Sequence, residues 1–473
     1  MKKILVIGAG PAGLTAAYQL SKRTTVKVSV FEASNSVGGL SKSLKLWGQT
    51  VDLGPHRFFS KDNRINKLFH ELAKGKYSIV NRKTRIYYNR RFFEYPLRFF
   101  NVLSNVSIFK LFRVVYFFGL QKVFPTKDTS TFESWIVSRF GKELYNMFFK
   151  NYTEKLWGIP CNRIDSDWAA QRIKKLTLFQ AIKHSIFQDK NNTHKTLVDQ
   201  FMYPKGGTGK LYDNAVEQII ENKGSVFLNQ GVKRILLNES ETRAIGIELM
   251  SGEKVLGDHM ISTMPLTIMV KHLPGLPPEV KKAADSLYFR NTILVYLEVD
   301  RNNLFDDNWL YIHSNDVLHG RITNFSNWCP TLNANKTSTI LCLEYWCFES
   351  DGIWEDIDSK LIELASKEVR EIELVSEKDI ILNGKVIKIP RSYPVYETGY
   401  SNNVNIIKKH LDKIENLDAI GRYGSFKYNN QDHSILMGLM VSDKVLGESG
   451  IDLWNVNSDD EYQEDAAVDV LTD

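Results

Sequence analysis

Cysteine is scarce in this chain. Its 473 residues hold four, Cys161, Cys329, Cys342 and Cys347. Their spacings match neither a zinc site nor a disulfide framework, so no metal is expected and they read as buried thiols of a reducing, cytoplasmic protein. Blocks of Lys and Arg are missing too. A net charge of +6 suits anionic small molecules, but without a concentrated basic patch it excludes nucleic acid as a partner. Long apolar runs are also absent. The stretch 99–124 is rich in Phe, Val and Leu, yet Asn105, Lys110, Arg113 and Gln121 interrupt it too often for a bilayer span. One or two amphipathic helices covering a core are expected there, with peripheral contact at a membrane surface as the lesser reading. Met1-Lys2-Lys3 and the apolar residues after it imitate a signal peptide, but glycines cut the run short. There is no internal repeat, and Gly209-Lys210 lacks the glycine spacing and the following Ser/Thr of a P-loop.

What is present begins at residue 4. Ile4-Leu5-Val6-Ile7 runs into Gly8-Ala9-Gly10-Pro11-Ala12-Gly13 and then into a helical sequence from Leu14 to Lys22, the strand, turn and helix that bind a dinucleotide pyrophosphate. A second strand, Val26 to Phe31, delivers Glu32, where a carboxylate takes a ribose diol. A second glycine turn, Gly38-Gly39-Leu40, has no place in a plain NAD unit and shifts the ligand to FAD. Strands at Leu44–Leu46 and Thr50–Leu53 and a helix from Asp62 to Leu72 follow. Strands at Ser225–Leu228, Val232–Leu237, Ala244–Leu249 and Met260–Thr263 are expected to complete the nucleotide-binding sheet, with Val232 against the cofactor. A second sheet is expected from Thr292–Val299, Trp309–His313 and Ser338–Trp346, and helices from Leu97 to His184, with breaks at Gly141 and Gly158.

The fold class is therefore α/β. A Rossmann-like FAD-binding domain of the two-dinucleotide type (1–80, 202–275 and 405–450) carries a helical insertion (97–201) and an antiparallel-sheet substrate domain (81–96 and 276–404), and the acidic tail, 451–473, is expected to be disordered. Near the C-terminus, Gly421 to Ser434 separates a short strand from a helix that Asp432 or Ser434 could cap, placing a positive helix end where it favours a reduced, anionic flavin.

Gly421-Arg422-Tyr423-Gly424-Ser425-Phe426-Lys427-Tyr428 with Asn430-Gln431-Asp432-His433-Ser434 close behind is similar to the C-terminal signature of eukaryotic-type UDP-galactopyranose mutases. These belong to the broader FAD amine oxidase and protoporphyrinogen oxidase superfamily. Asn151 to Pro160, Trp168 to Ile173, Tyr203 to Gly209, Trp309 to Tyr311 and Gly320 to Asn327 carry the same resemblance, so it runs from residue 5 to about 445. The resemblance implies an isomerase in which the reduced flavin's N5 attacks the anomeric carbon of an NDP-sugar. Expulsion of the nucleotide lets the sugar reclose as a furanose, the galactofuranose used in cell-surface polysaccharide biosynthesis. It implies FAD in the reduced form, with NAD(P)H as the expected reductant, and an NDP-sugar partner; the oligomeric state is left open, a homo-oligomer included.

The same resemblance places Arg172 and Arg321 on the diphosphate, where guanidinium binds phosphate in planar, bidentate fashion. Tyr311, Tyr396, Tyr428, Asn151, Asn430 and Trp157 are implied around the substrate. His56 and Arg422 are implied against the flavin ring, and Gln431, Asp432 and Ser434 at the helix end beside it. Two features depart from the family: Gly54-Pro55-His56 stands for Gly-Gly-His, and the loop from Tyr428 to Asn430 is two residues shorter. A flavin oxidase or desaturase of the amine oxidase or protoporphyrinogen oxidase type shares the fold and is the alternative. The arginine pair separates the two, because a desaturase asks for an apolar tunnel.

Overall fold

The computed structural model describes residues 1–95, 108–125, 127–172, 200–329 and 337–456. The chain divides into two units: one is built from Met1–Ser78, Met202–Tyr288 and Gly399–Asp459, and the other takes in Ile79–Phe201 and Phe289–Thr398.

In the first unit Ile4, Leu5, Val6 and Ile7 are all at most 3% exposed. A strand buried on both faces needs such an unbroken apolar run, and this one lies in the middle of a parallel sheet. The strand order is Leu417–Ala419, His259–Ser262, Lys2–Ile7, Val26–Phe31, Ser225–Phe227, with Ile4 opposite both Val28 and His259. Helices Pro11–Ser21, Asn63–Ala73, Lys210–Glu221 and Gln431–Val445 close the core around it. Asn63–Ala73 shows why: Ile65, Leu68, Phe69 and Leu72 fall on one face and are buried, and Asp62 caps the start by accepting from Arg64 N–H at 2.8 Å.

Two of the strands expected in this sheet lie elsewhere. Val232–Leu237 and Ala244–Leu249 pair antiparallel and join Lys254–Leu256 in a separate three-stranded sheet. Lys233 and Arg234 stand on the first of these and bond Glu248 at 3.0 and 2.6 Å. A strand with charges on it cannot be covered on both faces, which keeps it out of the parallel sheet. A hairpin of Ser43–Leu46 and Gln49–Asp52 turns through Trp47 and Gly48, both at positive φ (49° and 76°), and delivers Asp52 to the site.

The second unit holds a seven-stranded sheet in the order Ile381–Pro394, Phe289–Val299, Thr339–Cys347, Arg321–Asn324, Trp309–Ile312, Thr84–Tyr88, Arg91–Glu94. Helix Asp358–Glu371 packs on it through Leu361, Ala365 and Val369. The sequence reading lacks Arg321–Asn324, which is four residues long, and Ile381–Pro394, an edge strand whose lysines and arginine mask its pattern. Helices Phe132–Phe140 and Asn151–Trp157 end at Gly141 and Gly158, as expected. Helix Ile108–Val123 covers a core on one side, as expected, where Val114 packs against Ile86, Phe93, Met147 and Phe148, but it leaves Phe109, Phe112, Val115 and Tyr116 63–80% exposed. Residues 97–107, 126 and 173–184 of the expected helical stretch, the polar loop at 188–194 and the tail from 457 lie outside the described residues. Among the described residues no helix is long and apolar enough to cross a membrane, and all four cysteines are buried and outside any disulfide.

Candidate functional site

The cofactor residues of the first unit are assembled mostly by backbone. Gly8 N–H donates to Phe31 O at 2.8 Å, Gly38 N–H to Ala9 O at 2.8 Å, and Leu14 N–H to Gly10 O at 2.9 Å, so the two glycine turns and the Pro11–Ser21 helix form one body that includes Ala12 and Leu40. A Cβ on Gly13 would lie 2.1 Å from Gly8 O, and one on Gly39, at φ +55°, would lie 3.1 Å from the Cα of Gly10. Side chains are excluded there by contact. Gly10 caps the helix without a side-chain bond, and Pro11 follows at its first turn, so the first N–H groups stay at the helix end for an anion.

Glu32 has part of its capacity in use. Its Oε2 accepts Ala9 N–H at 2.8 Å, and its Oε1 accepts from Ser34 N–H at 2.9 Å and Ser34 Oγ at 2.8 Å. A carboxylate offers about four lone-pair sites, so room remains at Oε2 for a sugar hydroxyl. Val232 reaches this region through its turn: Gln230 N–H donates to Glu32 O at 2.8 Å.

The C-terminal segment leads from the short strand Leu417–Ala419 into the last helix, as expected, but the helix is capped elsewhere. Gly421–Gly424 is a helical turn, and Asn430, not Asp432 or Ser434, caps Gln431–Val445 in a reciprocal box with His433. Asn430 wins because its φ and ψ (−75°, −178°) are those of an N-cap, which leaves Asp432 and Ser434 inside the first turn, each 6% exposed. Arg422 donates from Nη1 to Asn429 O at 3.1 Å and stacks 4.4 Å above the Tyr428 ring. Gln431 donates from Nε2 to the Tyr212 hydroxyl at 2.5 Å, while its Oε1 is buried with no hydrogen-bond partner. A buried orphaned acceptor costs stability unless a ligand donor meets it. Tyr212 stands on helix Lys210–Glu221, so the Gln431 bond ties that helix to the start of Gln431–Val445.

His56 follows a buried hub that the sequence reading lacks. Asp52, 0% exposed, accepts from Ser43 Oγ at 2.5 Å, Tyr203 OH at 2.7 Å and Thr208 N–H at 3.2 Å, and Thr208 Oγ1 donates to His56 O at 3.2 Å. Burial pushes the Asp52 carboxyl up to about 6 against those hydrogen bonds. The hub therefore holds the Gly206–Gly209 turn and the His56 loop together.

In the second unit Arg321 pairs with Glu344 on the neighbouring strand, Nε to Oε1 at 2.6 Å and Nη2 to Oε2 at 2.5 Å. Two of five N–H donors are used, and the side chain is 16% exposed. Tyr152 packs edge-on against Tyr311 and Trp346 at 5.6 and 5.7 Å, and Tyr95 lies 5.4 Å from Tyr311. Trp157 and Tyr396 stack on each other at 5.7 Å and are withdrawn from the surface, at 0 and 1% exposure. Asn151 opens the Asn151–Trp157 helix and is half-buried. Arg172 ends helix Ser166–Arg172, and its side chain lies outside the described residues. Tyr212, Asp52 and Glu344 are the residues missing from the sequence reading. Glu344 alone had a signal there, as the one acid in the apolar run Thr339–Cys347.

The residues of the first unit fit an FAD: the turns leave no room for side chains, the acid keeps a free acceptor position, and a buried amide oxygen awaits a donor. The comparisons agree. The chain belongs to the flavin containing amine oxidoreductases, whose family model matches residues 11–377. It is 20% identical over 478 residues to the coproporphyrinogen III oxidase of Staphylococcus aureus, covering 94% of this chain and 99% of that one. It is 22% identical over 343 residues to a 4,4'-diapophytoene desaturase of a Methylomonas species, covering 63% of this chain and 61% of the relative. Among solved structures, reduced UDP-galactopyranose mutase superposes with a TM-score of 0.81 at 24% identity over 95% of this chain and 97% of that one. Putrescine oxidase bound to putrescine gives 0.63 at 14% identity over 94 and 99%. The fold is thus that of an FAD-dependent amine oxidase, a Rossmann-like parallel sheet with an antiparallel-sheet unit.

Proposed function

We propose that this enzyme is an FAD-dependent mutase that interconverts the pyranose and furanose forms of a nucleotide-diphosphate sugar, with UDP-galactose as the default substrate. Arg321 carries the reading. A guanidinium held flat by Glu344, among Tyr311, Tyr152 and Trp346, presents a fixed N–H edge suited to a phosphate anion. A carotenoid-like hydrocarbon gives such a group nothing to bind. In this reading Arg321 and Arg172 hold the diphosphate as the leaving group departs, Tyr311, Tyr428, Asn151 and Asn430 line the nucleotide sugar, and His56 and Arg422 border the ring. When bound, reduced FAD supplies an electron-rich nitrogen able to attack an anomeric carbon. NAD(P)H is the proposed reductant, and the product serves glycan assembly in the cytoplasm.

An oxidase or desaturase is the second reading. It is favoured by the likeness to the coproporphyrinogen oxidase, which spans nearly the whole of both chains. Incubating the dithionite-reduced protein with UDP-galactopyranose and separating the products by chromatography tests the proposal. Furanose formation supports it. No interconversion of any NDP-hexose, together with oxygen uptake on a porphyrinogen or an amine, overturns it.

A further inference from the structure

Lys155 lies outside every role assigned above, yet its ammonium makes four hydrogen bonds. Its Nζ donates to four main-chain carbonyls, Ser314 O at 2.8 Å, Val317 O at 2.9 Å, His319 O at 3.1 Å and Ile312 O at 3.4 Å. Ile312 ends strand Trp309–Ile312, and the other three belong to the connection from it to strand Arg321–Asn324; the two strands carry Tyr311 and Arg321. Two backbone N–H groups of the same connection, those of Leu318 and His319, turn to Glu368 instead. Leu318 N–H donates to Glu368 Oε1 at 2.5 Å, and His319 meets Glu368 Oε2 through Nδ1 at 2.6 Å. Glu368 is 4% exposed and its carboxylate also accepts from Tyr345 OH at 2.9 Å. On the Lys155 helix, Tyr152 stacks on His313 at 4.7 Å, the first residue of the connection.

We infer that the four carbonyls form a monovalent-cation cage in which the Lys155 ammonium is the resident ion, and that Lys155 with Glu368 is an opposite-charge clamp positioning Tyr311 and Arg321. The chemistry follows from the backbone. A loop that folds inward collects carbonyls on one side and N–H groups on the other, and each set needs a partner of opposite sign. An ammonium with three donors matches converging carbonyls as a potassium ion does, but it is tethered. Because Asn151 starts the same helix, the clamp sets three proposed substrate residues against one another. Lys155 is thus a positioning residue, acting through the loop.

Hydrogen exchange read by mass spectrometry over 312–320 tests this, with strand 289–299 as the internal reference. Lys155→Met should speed exchange in 312–320 about tenfold or more and leave the reference unchanged. In Lys155→Ala, propylammonium should slow it again, because the amine refills the stem and the cage. Tetramethylammonium, with the same charge and no N–H, should not. Unchanged exchange in Lys155→Met, or equal action of the two ions, overturns the inference. If Lys155→Ala does not accumulate folded, its refolding yield in the two ions decides the same question. UDP affinity, which rests on the mutase reading, should fall about tenfold in Lys155→Met with flavin content unchanged. Wild-type protein that binds no UDP would defeat that reading and leave the exchange result standing.

Discussion

The two units solve recognition in opposite ways. The first makes its site from main chain: turns without side chains, a bare helix start, and a helix end capped by Asn430. The second makes its site from side chains whose partners arrive from other strands, as Arg321 meets Glu344 across the pairing of Arg321–Asn324 with Thr339–Cys347. A main-chain site fails when atoms are added, and a side-chain site fails when atoms are removed.

The largest effect should come from removal. Arg321→Ala leaves the Glu344 carboxylate, 2% exposed, without its counter-charge. Breaking a buried pair this way costs about 3–5 kcal/mol, so the urea midpoint should drop sharply and UDP binding should vanish. Arg321→Met combined with Glu344→Leu should recover most of the stability and none of the binding. Recovery of both would place the anion site elsewhere, and loss of flavin alone would place Arg321 outside the diphosphate site.

Addition in the first unit comes next, and two neighbouring glycines divide the outcome. Gly13→Ala puts a methyl 2.1 Å from Gly8 O, so the helix must shift; overpacking of this kind costs about 3 kcal/mol, and both the apoprotein's unfolding midpoint and its flavin content should fall. In Gly10→Ala the nearest atom is 3.9 Å away. The apoprotein should keep its midpoint while the flavin absorbance ratio falls, since the methyl meets only the ligand. Equal midpoints for the two variants would show that the turn is not packed as described.

The Asp52 hub predicts a pH dependence. Its folded pKa lies near 6, above the ordinary 3.8. Its contribution is therefore fully present below about pH 4 and is lost as pH rises through about 6. A shift of this size corresponds to about 3 kcal/mol. The difference in unfolding free energy between wild type and Asp52→Asn should shrink by roughly that amount from about pH 4 to about pH 7. A flat difference would mean that Asp52 is ionised in the fold throughout.

Legibility in the sequence follows the same division. Gly8 to Gly13, Glu32 and Gly38-Gly39 were readable because a main-chain site needs particular residues at fixed spacing, and the burial of Ile4–Ile7 follows from its composition. Arg321 was nameable by resemblance, but its partner was not, because Glu344 is joined to it only by strand pairing. Charged strands broke the pattern in both units. The pattern of Val232–Leu237 points to the parallel sheet rather than its own, and Ile381–Pro394 shows no strand pattern, since alternation cannot say which sheet covers a half-exposed strand. From the sequence the cap of the last helix falls at Asp432 or Ser434, two or four residues late, because Asn430, Asp432 and Ser434 are all good caps and only backbone angles choose among them.

Gln431 gives the smallest effect and the finest test, since it places a side-chain group inside the main-chain site. With its Nε2 on Tyr212 and its Oε1 buried without a partner, it carries a cost in the apoprotein that a bound donor would remove. Gln431→Leu deletes that orphan. The apoprotein should therefore unfold at an unchanged or higher midpoint, because removal of the buried orphan offsets the lost bond to Tyr212. The holoprotein should release its flavin about fivefold more readily, a loss of about 1 kcal/mol for one hydrogen bond. Opposite signs in the two states identify a group placed for the cofactor. A fall of similar size in both would make Gln431 a structural brace between Tyr212 and the last helix, and would return the whole of flavin recognition to the backbone.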